Sequence, residues 1–500
     1  PLGPIINSNL AYVGRPNLKN QFYGASVNSA IYDQKFSEFV GSSTRSPMLY
    51  VNSNDGKLHG YNASTGAQAL MYVPNVVLSE RYQTRQVANA QLFLDGEIFV
   101  GDAFLKKRNK WSTILLGSMR SAGQGIYALD VTAPDSFSQS DVLWEFSDAN
   151  DQDLGFTYAK PAIGYIGDRW VAVIANGYNN THNSVYDPFT STTGAGALYI
   201  LDLETGELLR KFTTAANQSS DPLNLDRPNG LAEPAIVDSD QDGVIDRIYV
   251  GDFFGNFYAF DVKGNDPTQW QPTFGTAEAA KPMVAGSLVN NLPIITRPTV
   301  TPDPTRDELF IIYGTGDNIT DATYTQDHRL IGISHQATAL TDTALLEGRT
   351  LEAQGKFGWS IQLEDKTPKP DAIGWIMTLT GDTKGYRTTI KPRLYFGELL
   401  WALHKPGAAA SGSCSSSSES SLIFAMNPYT GGPLAKNVFL DLPLDSDADG
   451  ISSPEQIQSF DVVKTEDGEL IVGSTTTQNT FTFNKRPLTN TTQRQSWRPL

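Results

Sequence analysis

Along this chain of 500 residues, alternating apolar residues repeatedly run into an Asn, Asp or Ser, often followed by Thr-Gly, and this recurring unit constrains the fold most. It is the pattern of a strand ending in a tight turn, where a short polar side chain caps the reversing backbone. The clearest copies are Lys57-Leu58-His59-Gly60-Tyr61-Asn62, Ile126-Tyr127-Ala128-Leu129-Asp130, Leu198-Tyr199-Ile200-Leu201-Asp202 and Phe257-Tyr258-Ala259-Phe260-Asp261. Weaker copies end at Ser334, Asn427 and Asn484. Successive copies end 57 to 93 residues apart, too far for one hairpin and suited to a four-stranded blade with loops. Few segments carry the 3.6-residue apolar spacing of a long helix. The expected fold is therefore all-β: a modified seven-bladed β-propeller with long loop insertions. One domain is expected over 1–500, with its core at about 48–485 and the N-terminal segment and C-terminal tail closing or flanking the ring. Radial repetition lets so long an all-β chain do without a second domain, since it leaves only short, protected sheet edges. Large loops are expected at 265–293, 336–356 and the serine tract 408–421.

Composition removes several classes of function. A net charge of −16 is incompatible with the clustered Lys and Arg that a phosphate backbone demands, so no nucleic acid partner is expected. No run approaches the roughly 20 apolar residues of a membrane span, and none is predicted. Residues 1–10 lack the charged start and apolar run of a secretion signal, which is expected to lie outside this sequence. Cys414, the single cysteine, excludes internal disulfides and thiolate zinc clusters, and its serine-rich surroundings place it in an exposed loop. Its pairing with a cysteine elsewhere is left open.

The chemistry concentrates in Asp238-Ser239-Asp240-Gln241-Asp242-Gly243-Val244-Ile245-Asp246. Calcium takes six to eight oxygens at about 2.3–2.6 Å, and carboxylates at alternating positions of one curled loop converge to supply them. Asp238, Asp240 and Asp242 occupy the first, third and fifth positions, Gly243 supplies the turn, Val244 offers a main-chain carbonyl, and Asp246 closes the shell directly or through water. Position twelve is Tyr249 and not Glu, and the residues after the loop alternate like a strand, so the loop caps a hairpin and does not join two helices. Magnesium suits it less, because it retains waters and takes one or two carboxylates. A second loop, Asp445-Ser446-Asp447-Ala448-Asp449-Gly450-Ile451, repeats the first half. There Ile451 is the candidate carbonyl donor and Glu455 the nearest closing carboxylate, with a merely acidic turn as the alternative.

Nothing in the sequence marks a catalytic centre. His59, His182, His328, His335 and His404 are scattered without the His-Glu-x-x-His spacing of a zinc site, and each is read as structural. There is no Gly-x-Ser-x-Gly elbow and no phosphate-cradling Gly-rich loop.

The chain resembles the PilY/PilC family of type IV pilus tip-associated proteins in its C-terminal propeller domain. The resemblance is carried by Asn54-Asp55-Gly56-Lys57-Leu58-His59, Gly123-Gln124-Gly125-Ile126-Tyr127-Ala128-Leu129-Asp130, Asp153-Leu154-Gly155, Asn176-Gly177-Tyr178, Asn229-Gly230-Leu231, Gly374-Trp375 and Ser496-Trp497-Arg498. Its most specific piece is the acidic loop followed by Val250-Gly251-Asp252-Phe253-Phe254-Gly255-Asn256-Phe257. The resemblance implies an exported protein at the pilus tip or outer surface that binds Ca2+. It implies roles in pilus assembly and retraction, twitching motility, host-cell attachment and virulence. Expected partners are pilus components, minor pilins among them, and a host-cell receptor. It assigns Asp238, Asp240, Asp242 and Asp246 as side-chain ligands and Val244 as a carbonyl ligand. No enzymatic activity is expected. The competing readings are a quinoprotein-like propeller dehydrogenase, disfavoured by the lone cysteine, and a carbohydrate-binding propeller.

Overall fold

The computed structural model describes residues 2–16, 34–78, 94–182, 189–317, 326–354, 358–364, 369–407, 419–436, 438–440, 448–464, 469–475 and 479–486. The chain divides into two compact units, Pro1–Phe253 with Tyr258–Pro282, and Phe254–Phe257 with Met283–Leu500. No helix among the described residues is long and apolar enough to cross a membrane.

The first unit is built from antiparallel four-stranded sheets, each formed by consecutive strands. The first comprises Ala11–Val13, Met48–Ser53, Lys57–Asn62 and Gln68–Tyr72, and the second Ile98–Leu105, Lys110–Ser118, Gly125–Asp130 and Val142–Ser147. The third comprises Ala162–Ile166, Arg169–Ala175, Ala197–Asp202 and Leu208–Thr213, and the fourth Ala235–Val237, Arg247–Gly251, Phe257–Asp261 and Gln271–Pro272. Strand periodicity explains how these sheets stack. Successive side chains point to opposite faces, so a strand apolar on both faces feeds two cores. Val171 and Val173 join Leu198, Ile200, Ile236, Ile248 and Phe260 in one cluster, whereas Ala172 and Ile174 join Trp111, Ile126, Trp144 and Leu201 in another. Each fully buried Val, Ile or Leu contributes roughly 1.5–3 kcal/mol, so the third sheet is held from both sides.

The second unit contains a ten-stranded sheet and a three-stranded one. Thr299–Pro302, Leu309–Gly314, Arg329–Ser334 and Gly374–Thr378 form one antiparallel set, and Arg393–Tyr395, Glu398–Lys405, Ser420–Met426 and Gly450–Ser453 another. A hairpin of Leu346–Gln354 and Gly358–Leu363 joins them, pairing in parallel with Gly374–Thr378 on one side and antiparallel with Gly450–Ser453 on the other. Ile457–Lys464, Glu469–Thr475 and Thr480–Lys485 form the three-stranded sheet.

Every copy of the sequence repeat lies on the third strand, in chain order, of its antiparallel set. In three copies the terminal Asx side chain caps its turn as predicted, whereas Asp261 accepts from Thr273 Oγ1 at 3.0 Å. Asp202 Oδ1 accepts from the N–H groups of Glu204 at 3.1 Å and Thr205 at 2.9 Å, and Asn62 and Asn427 do the same for the two turns that carry Thr65-Gly66 and Thr430-Gly431. Two expected loops contain strands. The fourth strand of the fourth sheet, Gln271–Pro272, lies within 265–293, and Leu346–Gln354 lies within 336–356. The loop reading of 336–356 is corrected by this strand, which forms a hairpin with Gly358–Leu363 and pairs in parallel with Gly374–Thr378. Its two leucines, Leu346 and Leu351, stand five residues apart, off the two-residue strand period, so no alternation announces it. Most of the serine tract, with Cys414, lies outside the described residues.

Candidate metal centre

The acidic loop spans 238–246 between Ala235–Val237 and Arg247–Gly251, which pair antiparallel with Ile236 opposite Ile248. Its closing end is fixed by the core. Ile245 is buried and its N–H donates to the Tyr165 carbonyl of the neighbouring sheet at 2.7 Å. Asp246 donates its N–H to the Val237 carbonyl at 2.9 Å, and its own carbonyl accepts from Val262 N–H at 2.7 Å. The backbone then curls through left-handed conformations at Gln241, with φ of 62°, and Gly243, with φ of 94°. Glycine adopts this region without the Cβ clash that other residues incur.

The curl gathers three carboxylates. Asp238, Asp240 and Asp246 each offer an oxygen, all within 4.8 Å of one another. Two oxygens on opposite sides of a calcium ion stand about 4.6–5.2 Å apart, so this spacing fits one shared coordination shell. Asp238 Oδ2 accepts from Gly243 N–H at 2.8 Å, while Oδ1 is buried with no hydrogen-bond partner. A bound cation would satisfy such an orphaned acceptor. Asp246 is buried, and its Oδ2 accepts from Ser239 N–H at 3.1 Å and Oγ at 2.6 Å, which orients the carboxylate. Burial raises the Asp238 carboxyl to about 6, and the Asp242 and Asp246 carboxylates add to the rise. This is the electrostatic signature of a site with excess negative charge.

Asp242 is placed otherwise. Its Oδ1 accepts from Val244 N–H at 2.7 Å, and it stands outside the group of three. Lys263, which sequence reasoning did not single out, reaches the site from beyond the next strand. Its Nζ lies 3.0 Å from Asp240 Oδ2 and 3.7 Å from Asp246 Oδ1. Hydrogen bonding to Lys263 keeps the Asp240 carboxyl below its ordinary range. No sequence signal announces Lys263, because its approach depends on how the sheet folds over the hairpin.

In the second acidic loop, Asp445 and Asp447 lie outside the described residues. Asp449 is buried, and its Oδ2 accepts from Ile361 N–H at 2.8 Å. Ile451 sits within Gly450–Ser453, opposite Gly358 and Ile423. Glu455 accepts from Thr475 Oγ1 at 2.5 Å and Asn479 Nδ2 at 3.1 Å. These residues serve the strands around them.

Among the histidines, His59 is buried between Asp55 and Gln68, and His328 is buried with its Nδ1 3.1 Å from Thr315 Oγ1. His404 is buried as well.

The family model described as the PilY1 beta-propeller domain matches residues 2–354. The type IV pilus biogenesis factor PilY1 of Pseudomonas aeruginosa strain UCBPP-PA14 is 29% identical, the match covering 88% of this chain and 40% of that protein. A PilY1 homolog of Xylella fastidiosa is 28% identical, over 86% of this chain and 29% of that protein. The chain thus spans well under half the length of these relatives. The crystal structure of the Pseudomonas aeruginosa PilY1 C-terminal domain superposes with a TM-score of 0.69 at 24% identity, covering 91% of this chain and 96% of that one. The fold is an all-β propeller, and the chain belongs to the PilY1 β-propeller domain family.

Proposed function

We propose that this chain is the calcium-binding propeller of a type IV pilus biogenesis factor, acting by binding and regulation and not by catalysis. The observation that carries the reading is the convergence of Asp238, Asp240 and Asp246 together with the orphaned Asp238 Oδ1, in a chain of the PilY1 family. The same reading takes the strand sets of both units as seven blades of one domain. It puts the protein at the pilus tip or bacterial outer surface, with pilus components and a host-cell receptor as partners, and roles in pilus assembly, retraction, twitching motility and attachment.

The chain's own residues do the local work. Ser239 orients Asp246, Gly243 N–H orients Asp238, and the Ile245 N–H ties the loop to Tyr165. Calcium, when bound, supplies the positive charge that cancels carboxylate repulsion, stabilising the ordered loop by about 2.7 kcal/mol at a hundredfold excess over Kd. The ordered loop is then the surface that a pilus component reads. Calorimetric titration of the purified chain with calcium tests the assignment: Asp246→Asn should abolish or sharply weaken binding. Equal affinities for parent and variant would sink it.

A further inference from the structure

The main chain around Lys263 is clamped while its side chain is exposed to solvent. Val262, just before it, is fully buried and donates its N–H to the carbonyl of Asp246 at 2.7 Å. Gly264, just after it, turns the chain away at φ of 94°, and its carbonyl accepts from Trp270 Nε1 at 2.9 Å. The Lys263 side chain itself is 72% exposed, with Nζ 3.0 Å from Asp240 and 3.7 Å from Asp246. A cation on so short a tether has an effective concentration of millimolar order or above at its target, without any cost of capture from solution.

We propose that Lys263 is a tethered counter-cation that holds the acidic loop together when no divalent ion is bound, and so sets the calcium concentration at which the loop fills. This rests on reading the loop as a calcium site. The ammonium engages two of the three converging carboxylates. To fill the site, a divalent ion must share or displace that contact. A single positive charge satisfies fewer oxygens than the loop offers and leaves Asp238 Oδ1 without a partner, so the lysine closes the loop incompletely. Two states follow, one bridged by lysine and one by the metal. The exchange between them depends on free calcium and, because the lysine contact is solvent-exposed, weakens with ionic strength.

The test compares the purified parent chain with Lys263→Gln and Lys263→Arg by calorimetric calcium titration at fixed ionic strength. In a second arm, amide hydrogen exchange of the loop is followed in chelator. The glutamine variant is expected to bind calcium about three- to tenfold more tightly and, in chelator, to exchange the Gln241–Val244 amides faster than the parent. Arginine is expected to behave like the parent in both arms. If the glutamine variant binds calcium with equal or lower affinity, Lys263 is no competitor, and the calcium site itself stands. If neither parent nor glutamine variant binds calcium, the reading of the loop falls and this inference with it. Binding by the glutamine variant alone would mark the lysine as the dominant occupant.

Discussion

The ring of Trp144 occupies the place where a β-carbon on Gly206 would go: such a carbon would stand 2.6 Å from the indole Cγ. Gly206 closes the Asp202 turn at φ of 71°, and Trp144 Nε1 donates to the Leu203 carbonyl of the same turn at 2.9 Å. The second unit repeats the device. Gly431 has φ of 64°, a β-carbon there would lie 2.5 Å from Trp375 Cδ2, and Trp375 Nε1 donates to the Pro428 carbonyl at 2.8 Å. A tryptophan on the last strand of one set thus locks onto the turn that ends the third strand of another.

Gly206→Ala and Gly431→Ala should each destabilise their unit by about 2–4 kcal/mol, combining left-handed strain with overpacking against the indole. Chemical denaturation measures this directly. Gly66 has a similar φ of 73° but nothing within 4 Å of the added carbon, so Gly66→Ala should lose only the strain, about 1–2 kcal/mol.

At the loop, Asp238→Asn and Asp246→Asn should cost more calcium affinity than Asp242→Ala. All three accept a backbone N–H, but Asp238 and Asp246 each still offer an oxygen to the converging group, and Asp242 stands outside it. Calorimetry of the three variants gives the order, and equal losses would return Asp242 to the same rank.

Acid should weaken the second unit before the carboxylates titrate. Burial, with a further push from Arg387, lowers the imidazoles of His328 and His404 to about 4. Between pH 6.5 and 4 the unfolded chain takes up protons that the folded chain refuses, so stability is full above 6.5 and falls as pH drops. The slope reaches about 1.4 kcal/mol per pH unit for each histidine. Denaturation midpoints at pH 7.5, 6 and 5 should decline in the parent and decline less in a His328→Gln, His404→Gln double variant.

Lys485 is fully buried, with Nζ 2.7 Å from Glu398 and 3.1 Å from Glu469 and lying over the Tyr395 ring. Lys485→Met should cost up to about 3 kcal/mol by leaving two half-buried carboxylates together without a cation. Adding Glu398→Gln and Glu469→Gln should restore much of that loss in a thermal melt.

What the sequence revealed was what neighbouring residues decide. Asn62, Asp202 and Asn427 cap their own turns within three residues, so the repeat marked the third strands wherever it occurred. The acidic loop was legible for the same reason, since Gly243 and the alternating carboxylates bend one short segment. The remainder depends on distant chain. Leu346–Gln354 pairs in parallel with Gly374–Thr378 across the intervening hairpin strand, a pairing its own residues do not encode, and Lys263 reaches Asp240 only because Val262 pairs with Asp246. Asp242 chose a backbone donor over the cluster, a contest between two nearby options that spacing cannot decide.

The hairpin at Leu346–Leu363 has a mechanical consequence. Its two strands pair outward with Gly374–Thr378 and with Gly450 and Ile451, so the paired stretches present on that flank no bare row of N–H and C=O groups for a foreign strand to copy. A load applied to either set is shared with the other, and peeling one away means shearing the hairpin from its neighbour at the same time.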